Sequence, residues 1–401
     1  MTNYSADRTP WGLVILLAAL TAFAPMSIDM YLPSLPAIGV GLGASAAQTQ
    51  ATVAAFFGGM AVGQFFYGPA SDRFGRRGPI LVGCAIYVAA SVLCALATSG
   101  QMLIAARFVQ ALGGCAGGVV ARAIVRDRFN HTETARVLSL LTLIMGLAPI
   151  LAPLLGGVLL HLGGWRLNFW VLTGFGVACS LATLLWLQET RTDEAAAQAA
   201  SETPLQAYAA LLRMPRLIGY GLAGALGAAT LFTYISASPE LLIGTYGIAP
   251  EHFGWVFGIN SLGVIAASQV NRTLLRRFTP DQVLTWSGLA SLAAGLALTA
   301  AAVSGLGERW SVLPLLFLLL ASYGLMQGNI MAGALNVDPR RAGSISALTG
   351  GLAFGIGALA SSLTGLLADG TPRPMAIVMT LAMAGAVACL RWLAPPQPAQ
   401  S

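Results

Sequence analysis

The chain has 401 residues, of which 56% are hydrophobic and only 9% charged, against about 25% charged in a typical soluble domain. So little charge cannot cover a soluble body of this size, so apolar surface is left to face lipid. The formal charge of +6 comes entirely from arginine, with no lysine, and the arginines sort by loop rather than into one patch, which argues against nucleic acid as a partner.

Crossing roughly 30 Å of hydrocarbon takes about 20 mostly apolar helical residues. Twelve stretches qualify, at roughly 11–32, 50–70, 78–98, 101–123, 135–161, 167–188, 216–239, 250–270, 281–303, 312–336, 342–367 and 373–394. They are too long, and alternate too little, for the strands of a membrane barrel. The expected fold is therefore an all-α membrane protein. The first stretch is read as a span and not a cleaved leader, because it is long and ends in Pro33-Ser34-Leu35-Pro36 without an evident small-residue cleavage site. With the N-terminus inside, 17 of the 21 arginines fall in or beside cytoplasmic segments. Three (Arg166, Arg309 and Arg373) fall outside, and Arg107 lies within a span. That bias places both termini in the cytoplasm of a multi-pass protein.

Span 1 carries Asp29, in its expected outer half. An ionisable group at mid-membrane costs at least ~2.5–3.5 kcal/mol, and desolvation penalises its charged form, so it is suited to taking and releasing protons. The competing reading is a helix-end cap wetted from outside, with Pro33 and Pro36 just beyond. Span 4 carries Arg107 about six residues in, where it either pairs with a carboxylate or carbonyl across the bundle or snorkels to the outer interface. Arg122, near the inner end of the same span, suits headgroup contact or a gate. Span 10 holds Met326, Gln327, Met331 and Asn329, an adaptable sulfur-and-amide set that suits either a promiscuous pocket or core packing. Met26, Tyr31, Gln110 and Tyr234 join Asp29, Arg107, Met326, Gln327 and Asn329 as the expected cavity lining, with Phe232 as a further apolar wall. His131, His161 and His252 fall at loop edges. The five cysteines sit in apolar spans and read as packing residues, not as a disulfide framework or a metal site.

The longest polar interruption, 189–215, reads as a cytoplasmic linker between residues 1–188 and 216–401, six spans on each side. Within it Leu205, Tyr208, Leu211 and Leu212 recur at helical spacing, as in a segment lying on the membrane surface. An equal split of this kind suits a duplicated transporter with its substrate site between the two parts.

The loop after span 2 reads Gly68-Pro69-Ala70-Ser71-Asp72-Arg73-Phe74-Gly75-Arg76-Arg77-Gly78. Here Gly68 is expected to let spans 2 and 11 approach, Asp72 to cap or pair with an arginine, and Gly75 to permit the tight turn. This loop resembles the signature of the major facilitator superfamily. Arg107, Gln110 and Gly113 are similar to that family's span 4 motif, which implies proton coupling. The run from Gly146 to Gly157, with Gly146, Pro149, Pro153, Gly156 and Gly157, is similar to its antiporter motif on span 5. More narrowly, Ser27-Ile28-Asp29-Met30-Tyr31-Leu32-Pro33-Ser34-Leu35-Pro36 and Arg126-Asp127 resemble the Bcr/CflA group of bicyclomycin and chloramphenicol exporters, in which Asp127 is expected to join Asp72, Arg73 and Arg76 in a gate. The corresponding loop Asn271–Phe278 has lost the glycine–aspartate pattern.

The resemblance implies two pseudo-symmetric six-span bundles and proton-coupled efflux of small drug-like molecules across a bacterial inner membrane, by a monomer that is not an enzyme. Expected partners are the substrate, protons and the lipid bilayer; no cofactor beyond the proton gradient and no metal are expected. The main rival is a proton-coupled carrier of a small metabolite such as an amino acid or sugar. A channel would need a ring of like polar groups along a path, and an enzyme a nucleophile–base pair or metal cluster at membrane depth; neither pattern is visible.

Overall fold

The computed structural model describes residues 11–191, 203–306 and 308–395, apart from the side chains of His131 and Ala135. Arg8, Asp193, Glu194 and Glu202 therefore lie outside the described residues. Every described element is helical, and twelve helices are long and apolar enough to cross a membrane. They are span 1 (Trp11–Leu42), 2 (Ala46–Phe74), 3 (Arg77–Ala95), 4 (Gly100–Arg128), 5 (Thr132–Gly163), 6 (Trp165–Trp186), 7 (Pro215–Thr245), 8 (Pro250–Leu274), 9 (Pro280–Ser304), 10 (Arg309–Val337), 11 (Pro339–Leu366) and 12 (Arg373–Trp392). A short helix, Pro204–Leu211, precedes span 7.

Local chemistry sets several starts. Ser45 with Gln48, Asn130 with Glu133 and Thr279 with Gln282 form reciprocal capping boxes, which satisfy backbone N–H groups that a first turn leaves free. Large apolar side chains such as Leu185, Leu359 and Leu381 are left exposed, and so are Trp11, Trp186, Trp310 and Trp392 at span ends. This is the distribution of a lipid-facing surface with an aromatic belt.

The largest departure from the expected boundaries is in span 1. It was expected to end near residue 32, yet it continues through a break to Leu42. The helix Phe23–Asp29 gives way to a 3₁₀ turn at Leu32–Ser34, and helix resumes at Leu35–Leu42. Pro33 and Pro36 lack the N–H a continuous helix needs, so they bend the span without ending it. Asp29 thus sits near the middle of the span and not beside its outer end. Span 7 likewise continues past Pro239 through a π-helical segment, Glu240–Thr245.

We refer to the end bearing the loop between spans 2 and 3 as the basic end, and to the other as the far end. The first six spans pack among themselves and so do the last six, and the two bundles meet along spans 2 and 11 and along spans 5 and 8. Glycine sets the closeness of both contacts. A Cβ at Gly254 would strike Leu154, and one at Gly157 would lie 3.1 Å from the Pro250 carbonyl oxygen. On the other join, Gly351 receives the Phe65 ring. Gly68 does not play the packing part expected of it: a Cβ there would meet nothing within 4 Å, because the close approach falls one turn earlier and on span 11's own glycines. Phe57, Phe232 and Phe354 cluster across the join, with ring centroids 4.4–6.3 Å apart. At the far end, Leu32–Ser34 packs on span 7 and Leu35–Leu42 on Glu240–Thr245, whereas no comparable interface joins spans 4 and 10.

Gly156 faces inward instead, and its missing Cβ is the space occupied by the Met30 carbonyl, next to Asp29. Gly156→Ala should therefore lower the thermal midpoint of the purified protein, by the ~1–3 kcal/mol typical of overpacking. Gly174→Ala, where a Cβ would meet nothing, should leave it unchanged. Equal midpoints for the two variants would refute the close approach.

Candidate functional site

The break in span 1 presents three consecutive features to the bundle interior. The Ser27 carbonyl accepts a hydrogen bond from Arg107 Nη2 at 2.9 Å, and Ser27 Oγ meets the Tyr87 hydroxyl at 2.6 Å. Two residues on, Asp29 is only 3% exposed. Tyr31 follows, its hydroxyl 2.9 Å from Thr52 Oγ1 on span 2.

Arg107 has no solvent exposure, so it does not snorkel. Its Nη1 donates to Gln110 Oε1 at 2.6 Å, and Gln110 in turn donates to Ser91 at 2.7 Å. The guanidinium carbon lies 4.2 Å from the Tyr31 ring centroid and 4.3 Å from that of Phe56. A desolvated cation against aromatic faces gains about 2 kcal/mol or more per contact. These contacts, with a carbonyl and an amide, take the place of a counter-ion. The guanidinium Nε is buried without a hydrogen-bond partner.

Asp29 is the contrasting case. Among the described residues its carboxyl has neither an ion-pair nor a hydrogen-bond partner. Tyr234 of span 7 is buried in the second bundle. Tyr234 Oη accepts from Asn260 Nδ2 on span 8 at 2.9 Å, which leaves the hydroxyl hydrogen free for a carboxylate. Asn260 Oδ1 is buried and unpartnered. Tyr234 and Asn260 thus form a buried polar pair within the second bundle, and Asn260 was not foreseen from the sequence.

Of the other expected cavity residues, Met26 is half-buried beside this group and Gln327 is exposed. The structure does not bring Met326 or Asn329 to Asp29. Met326 is buried against Ser291 on span 9, 3.6 Å from its hydroxyl, and Asn329 exchanges side-chain hydrogen bonds with Asn271 on span 8. Arg122 donates to the Gly118 carbonyl and is exposed.

The gate motif forms a network within the first bundle. Arg76 is buried, joined to Asp72 and, at 2.7 Å, to Asp127. Arg73 does not enter this network by its side chain, which lies over Phe74. Gly75 adopts φ +88°, in the left-handed region where a side chain is strained, and a Cβ there would collide with Glu189. Glu189, read from the sequence as linker, is the organising residue of this end. It accepts from the backbone N–H groups of Arg76 and Arg77 at 2.8 and 3.3 Å, and from those of Thr190 and Arg191 at 3.0 Å each. Arg77 donates to the Leu184 carbonyl, and Arg191 to the carbonyls of Asp72 and Arg73. No periodicity marks Glu189; the only signal was an acid just past the end of span 6, within reach of a tight turn rich in N–H groups. In the loop Asn271–Phe278 the arginines are exposed, and Arg272 donates to Gln269. Tyr208 in the short helix packs edge-on against Phe65, while Leu205 and Leu212 stay exposed.

Partial burial pushes the Glu189 carboxyl up, but its backbone N–H donors outweigh that and hold it below the usual glutamate range. A depressed folded value contributes stability that is present above the unfolded value and lost as pH falls through the folded one. The thermal midpoint should fall more steeply in the wild type than in Glu189→Gln on acidification from about pH 6 to about pH 3. Identical slopes would remove Glu189 from this role.

Residues 17–362 match the family model described as Major Facilitator Superfamily. The chain is 34% identical over 400 residues to an uncharacterized MFS-type transporter, YdgK, of Bacillus subtilis, covering 97% of each. It is 29% identical to a bicyclomycin resistance protein homolog of Haemophilus influenzae, over 93% of this chain and 94% of that one. It is 33% identical to the multidrug resistance protein MdtL of Klebsiella pneumoniae, over 83% of each. A solved D-xylose-proton symporter superposes with a TM-score of 0.72 at 12% identity, over 96% of this chain and 98% of that one, which speaks to the fold alone.

Proposed function

Because the chain belongs to the Major Facilitator Superfamily, we propose that it exports small drug-like molecules across a bacterial inner membrane in exchange for protons, with Asp29 carrying the proton. The observation that supports this reading most directly is a carboxyl near the middle of a span, 3% exposed and, among the described residues, without an ionic partner. The resistance proteins among its relatives support the substrate class and the direction. The arginine bias of the sequence supports a cytoplasmic basic end with both termini inside. On the same reading, residues 1–188 and 216–401 are the moving parts and 189–215 connects them.

In this scheme the packed far end and the lack of an interface between spans 4 and 10 correspond to a carrier shut towards the outside. Asp29 takes its proton when the far end is open. Neutralised, it no longer opposes passage through a dry, occluded state. On the inside, substrate entering between the bundles and the proton on Asp29 compete for one state change, so the carrier turns only when loaded with one or the other. This requires different affinities in the two states. Arg107 is a fixed positive charge that stabilises the ionised carboxylate from a distance, and Tyr234, held by Asn260, offers its hydroxyl to that carboxylate in the states where the two approach each other. Met26, Tyr31 and Phe232 supply apolar wall.

Asp29→Asn should reach the membrane normally and abolish efflux driven by a pH gradient in inverted vesicles; undiminished efflux would remove Asp29 from coupling. Tyr234→Phe, which keeps the ring but loses the donor, should reduce coupled efflux about fivefold or more, in the usual range of coupling energies, and leave substrate binding intact. A resistance panel in a pump-deficient host, with wild type beside the Asp29 and Arg107 variants, separates drug export from carriage of a metabolite: unchanged tolerance to every drug would sink the export reading.

A further inference from the structure

At the far end, a cavity of about 20 Å³ lies where spans 2, 7 and 11 converge, enough for one water-sized occupant. Its wall includes Gln50 from the first bundle, and Glu240, Thr245, Thr364, Gly370 and Thr371 from the second. Gln50 is 3% exposed, and its buried Oε1 has no hydrogen-bond partner. Glu240 opens the π-helical segment of span 7, a departure from helix geometry frequently found at functional sites, and among the described residues it has no ion-pair partner.

The hydroxyl hydrogens around the cavity are already committed. Thr245 donates to the carbonyls of Glu240 and Gly370, Thr364 to that of Ala360, and Thr371 to Asp369. What these groups still offer is oxygen lone pairs. Arg373, at the start of span 12, is turned to the carbonyls of Ala302 and Val303. A carboxylate, a carboxamide and hydroxyl oxygens around a space for one small particle make an acceptor set with a single negative charge. A divalent ion asks for more ligands and usually more charge.

We propose that Glu240 and Gln50 form a site for one monovalent cation, hydronium or an alkali metal ion, whose occupancy ties the two bundles together at the far end. Gln50 belongs to one bundle and Glu240 to the other, so the ion bridges the contact that closes this end. Leu35–Leu42 of span 1, which packs on Glu240–Thr245, carries no titratable group. Other titratable or charged groups on the surrounding elements are Glu251 and His252 at the start of span 8, both exposed; Asp369, engaged by Thr371; Arg373; and Tyr246 and Glu308 beside a neighbouring crevice.

The test is hydrogen exchange of the full-length protein in lipid nanodiscs, read by mass spectrometry on peptides covering 237–246 and 364–372 and corrected for intrinsic exchange rates. One arm lowers the pH from about 8 to about 5.5 in choline chloride, and the other replaces choline by sodium or potassium at about pH 8. Exchange of these peptides should slow at least ~5-fold, as for a typical coupling energy. Slowing on acidification in choline alone assigns hydronium, and slowing by sodium or potassium at fixed pH assigns the metal ion. Glu240→Gln should abolish the effect and Gln50→Leu weaken it, while Asp29→Asn keeps it even though exchange of drug for proton is lost. No slowing in either arm, or the same slowing in Glu240→Gln, overturns the site. Because the readout needs no transported drug, a failure of the export reading leaves this result standing.

Discussion

Asp29 and Arg107 lie deep among these helices, and they are treated in opposite ways. Each costs a few kcal/mol to hold at membrane depth, and pairing them would have been the direct way to lower that cost. The fold keeps them apart. Arg107 is surrounded by two aromatic faces, an amide and the Ser27 carbonyl, so its charge is accommodated permanently. Asp29 receives none of this. The difference separates a charge that stays from one that the surroundings do little to retain, and the proposed exchange depends on that asymmetry.

The surrounding architecture follows from where Asp29 must lie. Proline breaks span 1 just after the carboxyl, so the chain turns without leaving the bundle. Gly156 admits the Met30 carbonyl into span 5 at the same level. The same span then uses Gly157 against the opposite bundle, and span 8 returns the contact through Gly254. Small residues of this kind let helices meet backbone to backbone where lipid offers no hydrophobic gain for association. The contact between the bundles is consequently flat and tight along spans 5 and 8, and aromatic at Phe57, Phe232 and Phe354.

Much of this was legible in the sequence, for identifiable reasons. Span number followed from apolar run length, which lipid enforces strongly. Asp29 and Arg107 stood out because charge at membrane depth is rare, and both proved buried. The pairing of Asp72 with a nearby arginine was within reach of loop spacing, whereas that of Asp127 with Arg76 followed only from the family resemblance. Where the reading missed, proline and polarity were taken as stop signals. Span 1 ran on past Pro33 and span 7 past Pro239, because neighbouring helices satisfy the backbone that proline disrupts. The missed residues, Glu189 and Asn260, act through main-chain N–H groups or through a partner distant in sequence. Met326 and Asn329 show the converse: an adaptable, amide-bearing helix face that suited a pocket turns out to hold spans 8, 9 and 10 to one another.

The arginine–carboxylate cluster at the basic end has a property that its loop motif does not advertise. Arg76, Asp72, Asp127 and Glu189 all belong to spans 2, 3, 4 and the end of span 6, so none of these bonds has to break when one bundle tilts against the other. The cluster works as a clamp that stiffens one lobe, not as a latch between two. A gene cut within the stretch after Glu189 would accordingly yield an amino-terminal fragment that keeps its whole clamp. Reassembly with its partner fragment would rest on the glycine-lined faces, the Phe57–Phe232–Phe354 cluster and the far-end contacts.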